Sequence, residues 1–150
     1  MPTILIVEDD EHQQLLFKEE LAEEGYDVVV ASSGQEALEM VKRIEPDCVV
    51  LDIAMPGMDG IEALGRLLAR NNQLPVILHT AYATYKDNFM TWSADAYVVK
   101  SQDLSELKSE IQRVLAKRDD DSAAQAHRAE ADQARHRAAE PDAGDTDGPA

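Results

Sequence analysis

Basic side chains are scarce in this chain, cysteine occurs once, and no apolar run is long. Fourteen Lys and Arg stand against thirty Asp and Glu, a formal net charge of −16. So acidic a surface repels a phosphate backbone and argues against direct nucleic-acid binding. The single cysteine, Cys48, excludes an intramolecular disulfide framework. Its setting, Cys48-Val49-Val50-Leu51, suits a small buried core residue better than a reactive thiol. The apolar run Ile4-Leu5-Ile6-Val7 stops at three acids and no basic residue precedes it. Neither a signal peptide nor a membrane span fits, so a cytoplasmic, reducing compartment is the default and membrane insertion is not expected. Neither G-x-G-x-x-G nor a Walker A run occurs, which removes the usual loops that cradle a nucleotide's phosphates.

The end of the chain lacks more. From Asp119 to Ala150 there is no Val, Ile, Leu, Met, Phe, Trp or Tyr. Such a stretch has almost nothing to offset the entropy of ordering it. The expected organisation is one domain over 1–118 and a solvated, acidic, Ala-rich tail over 119–150. Transient helix between Ser122 and Ala139 fits the composition, and Pro141, Gly144, Gly148 and Pro149 oppose order beyond it. A tail so short and polar is not expected to hold a second folded domain.

What is present is a regular alternation. Short apolar runs at Ile4 to Val7, Val28 to Val30, Cys48 to Leu51, Val76 to Leu78 and Tyr97 to Val99 are continuous and rich in β-branched residues, as strands covered on both faces should be. Between them lie helical periodicities, the face of Ala37, Val41 and Ile44 with Leu38 beside it and the face of Leu104, Leu107, Ile111 and Leu115, and Gly25 suits the C′ position after Leu15 to Glu24. Helix starts carry an oxygen-bearing residue with Glu or Gln three positions on: Asp10 with Gln13, Ser33 with Glu36, Asp59 with Glu62, Asp103 with Glu106. The helix between the fourth and fifth strands, Ala83 to Trp92, has no clear cap. Five strands alternating with helices predict an α/β domain, a doubly wound five-stranded parallel sheet of order 2-1-3-4-5 with helices on both faces. Ligands of such folds sit beyond the carboxyl ends of the strands.

At that edge the sequence puts Glu8, Asp9 and Asp10 after the first strand, Asp52 after the third, Thr80 at the end of the fourth and Lys100 after the fifth. Crowded carboxylates repel unless one is protonated or a cation binds, and an oxygen-only donor set suits Mg²⁺ better than zinc. A carboxylate can also act as a nucleophile toward phosphorus when a metal, an ammonium and a hydroxyl neutralise the incoming charge. Asp52, on the middle strand, is the central candidate.

The segments Ile4-Leu5-Ile6-Val7-Glu8-Asp9-Asp10, Val50-Leu51-Asp52-Ile53-Ala54-Met55-Pro56-Gly57-Met58-Asp59-Gly60, His79-Thr80-Ala81 and Ala94-Asp95-Ala96-Tyr97-Val98-Val99-Lys100 together resemble the receiver domains of bacterial two-component response regulators. The resemblance spans roughly residues 2 to 118. It implies a flavodoxin-like three-layer α/β/α fold and Mg²⁺-dependent transfer of a phosphoryl group to Asp52 from a sensor histidine kinase or phosphotransfer protein. It further implies a domain that catalyses its own phosphorylation and dephosphorylation without being an enzyme on an external substrate. Asp9 would be a direct metal ligand and Glu8 a ligand through water, joined by Asp52 and the Ala54 carbonyl. Thr80 and Lys100 would hold the phosphoryl oxygens, and Tyr97 would change rotamer when Thr80 moves.

Plainer roles fit some of these residues. Asp10 reads as a helix N-cap before a metal ligand, and His79 as a packed histidine before a phosphoryl carrier. Tyr85, Phe89 and Trp92 read as packing residues of the fourth helix. Ser101 stands where the family usually has a proline with a cis peptide bond, and a non-proline cis bond costs about 2.5–4 kcal/mol, so a trans peptide is expected before Ser101. The alternative reading is a Mg²⁺-dependent phosphohydrolase with an aspartate nucleophile. Such enzymes carry a second Asp two residues after the first, where this chain has Ala54.

Overall fold

The computed structural model describes residues 1–54, 60–81 and 93–119. By its contacts the chain divides into two units, Met1–Leu115 and Ala116–Ala150. Of the second, 116–119 are described and are helical. The first holds β1 (Thr3–Val7), α1 (Glu11–Glu23), β2 (Asp27–Ala31), α2 (Gly34–Ile44), β3 (Cys48–Leu51), α3 (Gly60–Arg70), β4 (Val76–Thr80) and β5 (Ala96–Val99), followed by a helix, α4, from residue 105. The strands form one parallel sheet in the order β2-β1-β3-β4-β5, the expected order. The helix expected between β4 and β5, Ala83 to Trp92 with Tyr85 and Phe89, lies outside the described residues, as does Tyr82.

The pleat divides each strand between two cores. Leu5, Val7, Val49, Leu51, Val76 and Leu78 face α2 and α3, where Ala37, Val41, Ala63, Leu64 and Leu67 meet them. Ile4, Ile6, Cys48, Val50, Ile77 and Val98 face Phe17 and Leu21 of α1 and Leu107, Ile111 and Val114 of α4. Every residue of β3 and β4 is buried, and each fully buried aliphatic side chain is worth roughly 1.5–3 kcal/mol. Val114, rather than the Leu115 that the sequence suggests, continues the buried stripe of α4, and Leu115 packs at its edge.

Local signals set the element ends. Asp10 caps α1 by accepting from the amides of His12 (2.8 Å) and Gln13 (3.1 Å). The reciprocal half of that capping box is not made: the Asp10 amide donates to Glu8 Oε2 at 3.2 Å instead. Ser33 caps α2 through the Glu36 amide at 3.1 Å, and Asp103 accepts from the Ser105 amide at 2.8 Å at the start of α4. Asp59, the expected cap of α3, is outside the described residues. After α1, Gly25 takes φ +93; its N–H donates to Ala22 O and that of Tyr26 to Leu21 O, the paired bonds of a Schellman turn. Gly60 is needed for a different reason: a Cβ there would lie 2.1 Å from the Ile53 Cα, so α3 starts against the backbone that follows Asp52.

Candidate functional site

Strand pairing runs one residue past the ends of β1, β3 and β5 and so fixes the backbone from which the polar side chains emerge. Glu8 N–H donates to Ala31 O (3.0 Å), Asp52 N–H to Val7 O (3.0 Å) and Lys100 N–H to Thr80 O (2.7 Å). At this edge Glu8, Asp9 and Asp52 each present a carboxylate oxygen, all within 4.8 Å of one another. Glu8 and Asp52 are buried and Asp9 is exposed.

Lys100 closes the cluster. Its Nζ donates to Asp52 Oδ2 at 2.9 Å and also to Glu8 Oε1. The other Asp52 oxygen, Oδ1, accepts from the Ala54 amide at 2.9 Å. No described peptide bond is cis, so the ammonium reaches Asp52 with Ser101 in place of proline. Burial raises the Glu8 carboxyl above its ordinary pKa, against the lowering effect of Lys100. Burial also opposes the Lys100 charge, but the bonds to Glu8 and Asp52 outweigh it and the ammonium titrates above its ordinary range. Three carboxylates with one ammonium leave two negative charges when all are ionised, the charge one divalent cation neutralises, and every carboxylate donor is a hard oxygen. The residues present therefore fit Mg²⁺.

The structure brings Glu8, Asp9, Asp52 and Lys100 together, with Ala54 on the loop beyond Asp52. Thr80 ends β4, fully buried. Tyr97, half-buried on β5, pairs in register with Leu78 and packs on the α2–α3 side of the sheet. His79 is buried at 2% exposure against Phe17, its ring centroid 5.1 Å away. Two features have no sequence signal. The Lys100–Glu8 bond joins residues 92 apart, and the Gln14 amide donates to Glu8 O at 2.6 Å and so ties α1 to the site.

A parallel sheet of this order, with acids on its two central strands and a lysine on a third, defines a flavodoxin-fold receiver of the CheY-like class. The family model for the response regulator receiver domain matches residues 4–112. The chain belongs to that family. It is 39% identical over 114 residues to the regulatory protein AtoC of Escherichia coli (strain K12), covering 75% of this chain and 25% of that protein. It is 36% identical over 124 residues to the response regulator MprA of Mycobacterium leprae, covering 81% and 54%. The chain thus spans between a quarter and about half of these relatives. Among solved structures it resembles the response regulator TrrA of Thermotoga maritima in complex with Mg²⁺-BeF, with TM-score 0.74, 41% identity and coverage of 76% of this chain and 99% of that one. TrrA bound to the histidine kinase ThkA matches with TM-score 0.73 and 42% identity, over 77% and 99%. No helix among the described residues is long and apolar enough to cross a membrane.

Proposed function

We propose that the domain accepts a phosphoryl group on Asp52 from the phosphohistidine of a sensor kinase or phosphotransfer protein and signals through a protein partner. The observation that carries this reading is the Asp52 carboxylate held between the Lys100 ammonium and the Ala54 amide, beside Glu8 and Asp9. Residues Glu8, Asp9 and Asp52 with the Ala54 carbonyl would hold Mg²⁺, which supplies charge neutralisation for the incoming dianion. In the transfer an Asp52 oxygen attacks phosphorus, a P–O bond forms as the P–N bond to the donor imidazole breaks, and the released nitrogen keeps the electron pair. Lys100 then turns from the Asp52 carboxylate to the phosphoryl oxygens, and the Thr80 hydroxyl donates to them. Output follows as a two-state shift in which Thr80 moves inward and Tyr97 follows.

The kinase-bound relative supports a kinase as donor here. Phosphotransfer profiling against a panel of autophosphorylated histidine kinases and phosphotransfer proteins tests the assignment. At least one donor should lose label to this chain within the time that the others keep it, and the Asp52→Asn protein should accept from none. Transfer to Asp52→Asn as fast as to the unmodified chain would defeat the reading.

A further inference from the structure

Lys100 is held at its tip, but its flexible stem borders open space. A groove of about 360 Å³ beside it is lined by Leu16 and Phe17 of α1, His79 of β4, and Ser101 and Gln102 after β5. A lysine stem carries roughly 2 kcal/mol of rotamer entropy, so a side chain bounded by a groove needs a wall to keep one direction. Phe17 stands there. Its ring centroid lies 6.0 Å from the Lys100 ammonium and 5.1 Å from the His79 imidazole, the two rings tilted by 56°. Both Phe17 and His79 are buried.

His79 is the costly member of this stack. Among the described residues its buried Nδ1 has no hydrogen-bond partner, an arrangement that an aliphatic residue would avoid. An imidazole does offer what an aliphatic side chain lacks, a flat ring against the Phe17 ring. Burial, and then the nearby Lys100 charge, hold that imidazole neutral down to about pH 4, so it brings no competing positive charge to the site.

We propose that Phe17, braced by His79, is a positioning residue that keeps the Lys100 ammonium over Asp52, its ring face attracting the cation and walling it off from the groove. This rests on the reading of Asp52 as phosphoacceptor and Lys100 as the clamp on the phosphoryl group. The full chain is assayed for Asp52 labelling by acetyl phosphate with Mg²⁺, alongside Phe17→Leu, Phe17→Tyr and His79→Leu, with thermal melts of each. Phe17→Leu should lower the rate at saturating donor by roughly three- to thirty-fold, the range of a cation–π contact, while the half-saturating donor concentration and the Mg²⁺ affinity stay unchanged. Phe17→Tyr, which keeps the ring face, should restore the rate. Equal rates in the unmodified chain and Phe17→Leu overturn the proposal, as does an equal loss in Phe17→Leu and Phe17→Tyr, which marks a packing role only. Should Phe17→Leu fail to fold, His79→Leu decides: loss of the brace lowers the saturated rate, and an unchanged rate overturns the proposal. An unmodified chain that takes no label at Asp52 is instead a failure of the phosphoacceptor reading, and this inference falls with it.

Discussion

Acid should destabilise this protein through His79. Its imidazole is pushed down to about 4 in the folded chain, first by burial and then by the Lys100 charge, whereas in the unfolded chain it titrates near 6.5. Between those values the unfolded chain binds a proton that the folded chain refuses. The stability linked to His79 is therefore fully present above about pH 6.5 and is lost progressively toward pH 4. Going from about pH 7.5 to about pH 5 the loss comes to about 2 kcal/mol, which lowers the melting temperature of a domain this size by roughly 6–12 °C. Burial raises the Glu8 carboxyl, so Glu8 acts in the opposite sense, but it does so equally in a His79→Leu variant. Urea or thermal unfolding of both proteins at the two pH values isolates the His79 contribution as the difference between their pH dependences. His79→Leu should lose about 2 kcal/mol less than the unmodified chain over this interval. Parallel pH dependences would refute the reasoning, since they would mean that the buried imidazole binds its proton as readily folded as unfolded.

Three further outcomes are expected. Beryllofluoride with Mg²⁺ should shift the amide resonances of Thr80 and Tyr97 together; a shift confined to the loop after Asp52 would break the proposed coupling. Deleting residues 119–150, which carry no large apolar side chain, should leave phosphorylation intact and the melting temperature within a few degrees, and a larger drop would mean about a kilocalorie or more of lost packing. The phosphorylated form should decay slowly, because Ala54 offers no side-chain hydrogen bond to orient a water and an orienting group is worth roughly ten- to a thousand-fold. Ala54→Asn combined with Tyr82→Glu should shorten the half-life, and an unchanged decay rate would defeat that account.

The sheet is legible in the sequence because its strands are buried on both faces, so Ile4 to Val7, Cys48 to Leu51 and Val76 to Leu78 stand out as unbroken apolar runs. Edges were less distinct. The first turn of α1, Glu11 to Gln14, has no apolar residue, and only the Asp10 cap marks where the helix begins. Asp52, Glu8, Asp9 and Lys100 could be placed on one edge because parallel strands put their carboxyl ends together. Their hydrogen bonds could not, since which carboxylate a lysine reaches depends on rotamers that no local pattern encodes. The Lys100–Glu8 bond and the Phe17–His79 contact are of that kind. In sequence Phe17 is merely the third of three consecutive apolar residues, of which Leu15 and Leu16 are exposed, and His79 only an odd member of an apolar strand.

If Asp52 is the phosphoacceptor, its labelling depends on a divalent cation. Incubation with acetyl phosphate, borohydride trapping and peptide mass spectrometry test it most directly, run with Mg²⁺, with excess EDTA, and with Asp52→Asn. Modification at Asp52 is expected in the Mg²⁺ sample alone. Label that appears equally in EDTA, or that persists in Asp52→Asn, would contradict it.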